Sequence, residues 1–147
     1  MFSRPSGSRE TSLIGRLGEK EAARCLKAKG YRIITRNWRA GKDEIDLVCH
    51  DGLALVFVET RTRKSVALAS GYEAICLSNR DALLRVCRAY LANLKPRPKS
   101  FRFDVIEVEH ESGQIIASRH FENVPLFGIV GSEAAAERLS LIHISEP

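Results

Sequence analysis

The sequence has no long hydrophobic run and no recognisable export signal. Its longest apolar run without a charge is LALVFV, residues 53–58, which is far shorter than the ~20 residues of a transmembrane helix. The first residues, MFSRPSGSRE, contain no apolar core of the ~7–15 residues that a secretory signal needs. We therefore expect a cytoplasmic protein without a membrane partner.

Several patterns that carry chemistry are also missing. None of the four cysteines forms a C-x-x-C pair or has a His two to four residues away, so neither a structural zinc site nor a disulfide framework is predicted. The chain contains no Gly-rich P-loop and no G-x-S-x-G motif. These absences argue against P-loop nucleotide hydrolysis and against triad esterase chemistry.

The charge is divided unevenly along the chain. Residues 1–102 contain 21 basic and 10 acidic side chains, whereas residues 103–147 contain 2 basic and 8 acidic ones. A basic part of this size is typical of proteins that bind a polyanion, most often a nucleic acid. The alternative is a solvated surface with a basic bias.

Hydrophobic periodicity predicts one α/β domain with a mixed central sheet, in the order helix, three strands, helix, two strands. The helices are predicted at 12–29 and 79–94, and the strands at 31–39, 44–50, 53–63, 101–110 and 114–121. A loop is predicted at 63–78. The domain is predicted to span 12–128, after a flexible tail at 1–11 and before a C-terminal tail at 129–147. The end of that tail, LSLIHISEP (139–147), resembles translated adapter sequence.

The first hairpin is predicted to gather acidic side chains. The pair Asp51–Gly52 is a strong signal for a two-residue turn, and that turn makes Asp46 and Glu59 diagonal neighbours on one face, with Arg61 beyond them. Diagonal Cβ atoms lie ~7–8 Å apart, a spacing that suits a divalent cation between two carboxylates. The alternative is a solvated acidic face with an Arg61–Glu59 ion pair worth ~0–1 kcal/mol.

Four blocks of the chain are similar to one known family. In order they are GRLGEKEAARCLKAKGYRIITRNWR, DEIDLV, LVFVETRTR and RFDVIEV. From about residue 13 to about residue 127 the chain resembles the YraN family of bacterial endonuclease-like proteins. That family is similar to the restriction-endonuclease-like fold with a PD-(D/E)XK motif, as in archaeal Holliday-junction resolvases. The resemblance implies a restriction-endonuclease-like core, Mg²⁺ or Mn²⁺ as cofactor, and branched or single-stranded DNA as partner.

The resemblance also implies catalytic roles for five residues. Asp46, Glu59 and the backbone carbonyl of Thr60 would be metal ligands, and Glu19 on the first helix would be a further, indirect ligand. Arg61 would orient water or clamp a phosphate.

Two positions depart from the family pattern. Arg61 replaces a lysine, and because arginine keeps its proton in proteins it cannot act as a general base. Water activation is then left to the metal. Asn79 and Arg80 replace a Lys-Gln pair that usually begins the second helix.

Ten basic residues are predicted to contact nucleic-acid phosphates. They are Arg16, Lys20, Arg24, Lys27, Arg36, Arg39, Arg63, Lys64, Arg85 and Arg88. The predicted function is metal-dependent hydrolysis of phosphodiester bonds in DNA. Two alternatives stay open: a nucleic-acid-binding module that has lost catalysis, and a protein-interaction domain whose acidic cluster is merely surface. His120 is predicted to cap or pack the end of the last strand, and the oligomeric state stays open.

Overall fold

The structure, a computed structural model, describes residues 7–65 and 79–127, without the side chains of residues 7–12. Its elements are α1 (Gly7–Ala28), β1 (Arg32–Ala40), β2 (Asp43–Asp51), β3 (Ala54–Lys64), α2 (Arg80–Ala92), β4 (Phe101–Glu111) and β5 (Gln114–Phe121). The predicted order of helices and strands is confirmed. Helix α1 begins at Gly7 rather than at residue 12. Most of the loop predicted at 63–78, and the C-terminal tail, lie outside the described residues.

The five strands form one mixed sheet in the order β1-β2-β3-β4-β5. Strands β3 and β4 are parallel, and the other three neighbouring pairs are antiparallel. Parallel neighbours need a crossover connection, and α2 lies in the connection between β3 and β4. The predicted mixed α/β architecture is therefore confirmed.

The sheet is buried on both faces. On one face, α2 packs its apolar stripe, which includes Val86 and Leu91, against a cluster that contains Phe57 and Phe103. On the other face, α1 packs against a cluster that contains Leu47, Val58 and Ile106. Among the described residues, no helix is long and apolar enough to cross a membrane.

Helix α1 reaches the sheet through small side chains. Gly18, Ala22 and Leu26 follow one another at helical spacing of four residues and are all buried. Leu17, which the periodicity predicts to face the core, is 44% exposed, and Leu13 is 59% exposed. The row formed by Gly18, Ala22 and Leu26 faces the sheet. Leu13 and Leu17 consequently lie beside this contact.

The predicted turn of the first hairpin is wrong by one position. The loop residues are Gly52–Leu53, and Asp51 pairs with Ala54 inside the ladder. Gly52 has φ +58°, and a type II′ turn needs a glycine at its first central position, which explains why the loop begins there. The register therefore shifts by two residues, so each residue changes its partner on the other strand while the alternation of faces along the ladder is retained. Ile45, beyond the end of the ladder, packs with Phe57 and not with Leu47 as strict alternation would require.

Candidate active site

Asp46 lies where β2 and β3 separate. The ladder between these strands runs from Asp51↔Ala54 only as far as Leu47↔Val58. Beyond that point the Thr60 backbone N–H donates to Asp46 Oδ2 at 2.8 Å. A carboxylate thus replaces the carbonyl that a continued ladder would supply. Continued by one pair, this register would put Asp46 opposite Glu59, whereas the sequence predicted that the two lie diagonally.

The carboxyl groups of Asp46 and Glu59 are in hydrogen-bond contact. Burial is the main cause that raises the pKa of Glu59 well above its ordinary value, followed by this hydrogen bond and the Asp46 charge. The positive charge of Arg61 acts in the opposite direction. Two carboxylates this close cannot both ionise cheaply, and a cation between them would relieve the repulsion.

Helix α1 brings Glu19 to the same place. Burial, followed by the negative charges of Asp46 and Glu44, raises the pKa of Glu19 to about 7. Glu19 also shares a hydrogen bond with Asp46. The structure therefore brings together Glu19, Asp46 and Glu59, three acidic residues predicted from the sequence, with Arg61 in electrostatic contact. This group is called the acidic cluster below.

Gly18 allows this approach of α1. A Cβ atom at position 18 would overlap the Oγ1 atom of Thr62 and would also lie 3.3 Å from its Cβ. Only a residue without a side chain permits that separation between helix and strand. Since Glu19 follows directly, the glycine determines how deeply the Glu19 carboxyl reaches toward β2.

Sequence reasoning missed Asn37. Its neighbours Arg36 and Trp38 pair with Leu47 and Ile45, which puts Asn37 across from Asp46. Asn37 has φ +51°, a left-handed conformation that is uncommon inside a strand, and its side chain hydrogen-bonds Glu19. A polar Asn in the middle of the strand segment RNWR was the available signal.

The donor set of the cluster fits a hard divalent cation. Carboxylate oxygens are the ligands that Mg²⁺ prefers, and Mg²⁺ needs only one or two of them because it keeps several waters. The raised pKa values of Glu19 and Glu59 reflect burial first and crowded negative charge second, and a cation would relieve the second of these. Within residues 7–65 and 79–127, no group of three or more His, Cys, Asp or Glu side chains has the arrangement of a formed metal site.

The ten predicted phosphate contacts lie on several parts of the surface. By element they are Arg16, Lys20, Arg24 and Lys27 on α1, Arg36 and Arg39 on β1, Arg63 and Lys64 at the end of β3, and Arg85 and Arg88 on α2. All except the partly buried Arg63 are exposed. Because α1 and α2 cover opposite faces of the sheet, the structure does not bring all ten into one patch.

Four of these ten residues form salt bridges within the protein. The pairs are Arg24 with Glu21, Arg39 with Glu44, Arg63 with Glu107 and Arg85 with Asp43. The pair of Arg63 with Glu107 is largely buried. The other three arginines are exposed, and such surface pairs contribute only ~0–1 kcal/mol to stability. A phosphate can therefore compete for such an arginine, but part of its attraction is already satisfied.

His120, on the edge strand β5, belongs to a buried polar network with β4. Its Nε2 lies 2.8 Å from Oδ2 of the fully buried Asp104, and its Nδ1 lies 3.0 Å from Lys29 Nζ. Asp104 also accepts hydrogen bonds from Arg102 and from the Asn123 backbone N–H. The network joins β4, β5 and the segment after α1, because a buried carboxylate needs such partners.

Fold and site together define a mixed α/β protein with an acidic cluster at the separation of two strands. The family model described as Uncharacterised protein family UPF0102 matches residues 18–108, a range that contains the whole acidic cluster. The chain belongs to this family.

Relatives at high identity span most of the domain. UPF0102 protein STH1475 of Symbiobacterium thermophilum is 46% identical over 96 residues, which cover 65% of this chain and 81% of that protein. UPF0102 protein CT2262 of Chlorobaculum tepidum is 44% identical over 95 residues, which cover 65% of this chain and 74% of that protein.

Among solved structures, similarity extends to Pyrococcus furiosus SfsA in complex with Ca²⁺. The TM-score is 0.30 and the identity 17%, with 79% of this chain and 63% of that chain covered. A likeness this weak carries no conclusion about fold or ligand.

Proposed function

We propose that this protein is a cytoplasmic, divalent-metal-dependent endonuclease that binds DNA and hydrolyses its phosphodiester bonds, on a restriction-endonuclease-like fold. The observation that carries the proposal is the contact between Asp46 and Glu59, with Glu19 and Arg61 beside them. The YraN resemblance described above, with its PD-(D/E)XK motif, supports the same reaction.

The proposed roles follow from the chemistry of each group. Asp46, Glu59 and the backbone carbonyl of Thr60 would hold Mg²⁺ or Mn²⁺, with Glu19 as an indirect ligand. The metal, when bound, supplies positive charge at the scissile phosphate and lowers the pKa of water. Arg61 presents a guanidinium that can hold a phosphate oxygen through two N–H donors and keeps its charge throughout.

The first prediction concerns cleavage. With Mn²⁺, the wild-type protein is expected to cleave supercoiled, branched or flapped DNA. Asp46→Ala should lose at least about 100-fold in rate, because loss of several kcal/mol of transition-state stabilisation costs tenfold per ~1.4 kcal/mol. Glu122→Gln is the matched control, since it neutralises a carboxylate that accepts from Tyr31 and lies outside the cluster. Equal rates for Asp46→Ala and wild type would indicate a contaminating nuclease and end the proposal.

The second prediction concerns metal binding alone. Mn²⁺ should raise the melting temperature of the wild type and of Glu122→Gln, but not that of Asp46→Ala. A cation at 100 times its dissociation constant stabilises the folded state by about 2.7 kcal/mol. Differential scanning fluorimetry with and without EDTA measures this.

The two remaining alternatives predict different results in the same experiments. Salt-dependent DNA binding without metal uptake or cleavage would favour a binding module that has lost catalysis. No DNA binding at low salt would favour a protein-interaction domain. Either result contradicts the nuclease proposal.

A further inference from the structure

A large cavity adjoins the acidic cluster on the α1 side of the sheet. It measures about 1190 Å³ and is bordered by the first half of α1, the end of β3 and the turn between β4 and β5. Ligand pockets in proteins are typically about 300–1,000 Å³, so this space accommodates more than a single phosphate. Thr60 and Arg61 line it, which makes it continuous with the proposed catalytic site.

The walls of the cavity differ in chemistry. Leu13 and Leu17, both substantially exposed, form an apolar wall on α1. Arg61 and Lys64 bring two positive charges from β3, and Glu111 is the carboxylate among the described lining residues. An apolar wall opposite cationic groups matches a ligand with flat apolar faces and a negatively charged backbone.

We infer that the cavity receives an unpaired nucleotide of a DNA strand whose neighbouring phosphate lies at Arg61. A base inside a continuous duplex is paired and stacked, so its edge and faces reach such a recess only after they leave the helix. The protein therefore prefers DNA with an unpaired segment next to the cleaved bond. This inference rests on the proposed function and names the substrate class of the same site.

The test fills the cavity without disturbing the helix. A Cβ atom at Gly15, which lines the cavity, would meet no atom within 4 Å, so Gly15→Phe places a ring in open space. Gly15→Ala is the matched control, since it also replaces the glycine by a better helix former but does not fill the cavity. Fluorescence anisotropy in EDTA compares labelled oligothymidine of about 15 nucleotides, a length near the usual single-strand site sizes, with a duplex of equal length.

Gly15→Phe should weaken oligothymidine binding roughly tenfold, as loss of ~1–3 kcal/mol of base contact predicts, and should leave duplex binding unchanged. Gly15→Ala should behave like the wild type. Unchanged oligothymidine binding by Gly15→Phe would overturn the inference, as would an equal loss for oligothymidine and duplex. Tighter binding of duplex than of oligothymidine by the wild type would also overturn it.

A second variant keeps the test decisive if Gly15→Phe does not fold. Leu13→Asp places a negative charge on an exposed position at the cavity and should reduce oligothymidine binding selectively. Leu53→Asp is its control, because Leu53 is 93% exposed in the β2–β3 turn. Cleavage of flapped DNA by the wild type with Mn²⁺ separates the two claims. Cleavage together with unchanged oligothymidine binding by the variants overturns only the cavity inference, whereas absent cleavage with selective oligothymidine loss in the variants overturns only the nuclease.

Discussion

Two of the three acids in the cluster, Glu19 and Glu59, have pKa values above the ordinary range. Glu19 comes from α1, Asp46 from β2 and Glu59 from β3, so the three carboxyl groups come close together only in the folded protein. Burial and mutual repulsion raise the pKa of Glu19 to about 7 and raise the pKa of Glu59 as well. At neutral pH the acidic cluster therefore lowers the stability of the folded protein, as is common at functional sites.

The third prediction is how the loss of folding stability at the acidic cluster depends on pH. The pKa of Glu19 rises on folding from 4.5 to about 7, so the folded state binds more protons than the unfolded state between these values. Stability then falls as pH rises through this window. Glu19→Gln cannot ionise, so its melting temperature should match that of the wild type near pH 4 and exceed it increasingly up to pH 7, with a constant gain above. Thermal melts in EDTA measure the difference.

Glu21→Gln is a control of opposite sign on the same helix. The hydrogen bond from Arg24 lowers the pKa of Glu21, so its carboxylate stabilises the folded state above its ordinary pKa and loses this contribution as pH falls. Glu21→Gln should be slightly less stable than the wild type at pH 7, by ~0–1 kcal/mol, and equal to it in acid. A gain for Glu21→Gln at pH 7, or none for Glu19→Gln, would contradict the electrostatic interpretation.

At the scale of elements, the contact between α1 and β3 decides where Glu19 lies. Gly18 faces Thr62 with no room for a side chain. The remaining residues that α1 buries, Ala22, Ala23 and Leu26, continue this close contact toward the helix end. The sheet-facing row of α1 is thus selected by size as well as by hydrophobicity, and a wider separation would withdraw Glu19 from Asp46.

The fourth prediction tests this contact. Gly18→Ala should lower the free energy of unfolding by about 1–3 kcal/mol through overpacking, although alanine favours a helix by ~1 kcal/mol. Adding Thr62→Ala should recover most of the loss, since it removes the Oγ1 atom that overlaps. Urea denaturation of the single and double variants measures this coupling.

Gly15→Ala is the matched control for helix propensity alone. Position 15 is open, so this substitution should stabilise the protein by about 0.5–1 kcal/mol. If Gly18→Ala stabilised the protein equally, the close contact with Thr62 would not constrain α1.

At the scale of the whole molecule, positive charge surrounds the sheet instead of forming a single patch. α1 and α2 carry exposed basic residues on opposite faces, and β1 adds others at the edge. Some of these cations are held by carboxylates: Arg85 donates to Asp43 at 2.9 Å. In the described part of the chain, no carboxylate forms a salt bridge with Lys20. Lys20 and Arg85 should therefore contribute differently to DNA binding.

The fifth prediction concerns salt. The logarithm of the DNA association constant should fall linearly with the logarithm of salt concentration, by about 0.9 for each phosphate neutralised on duplex DNA. Lys20→Gln should reduce this slope by about 1. Arg85→Gln should reduce it by less, because Asp43 already neutralises Arg85. Anisotropy titrations at several salt concentrations measure both slopes, and equal reductions would show that the Asp43 pair has no influence on binding.

Pattern reasoning succeeded where the cause of structure is local. The alternation of apolar and polar residues predicted the strands around Asp46 and Glu59, and the helix predicted to end at residue 29 ends at Ala28. It failed at the β2–β3 turn, because both Asp51–Gly52 and Gly52–Leu53 are acceptable two-residue loops. It also missed Asn37, whose left-handed backbone and contact with Glu19 depend on three elements that meet in space.

The amino-acid sequence by itself determined the order of helices and strands and the shared face of Asp46 and Glu59, since side-chain alternation is a property of each segment alone. Glu19 was assigned to the site through the family resemblance. Only the tertiary structure decided which acid stands across from which, how close α1 comes through Gly18, and the cavity between Leu17 and Lys64. These depend on distances between segments far apart in the chain, which packing sets and no local pattern encodes.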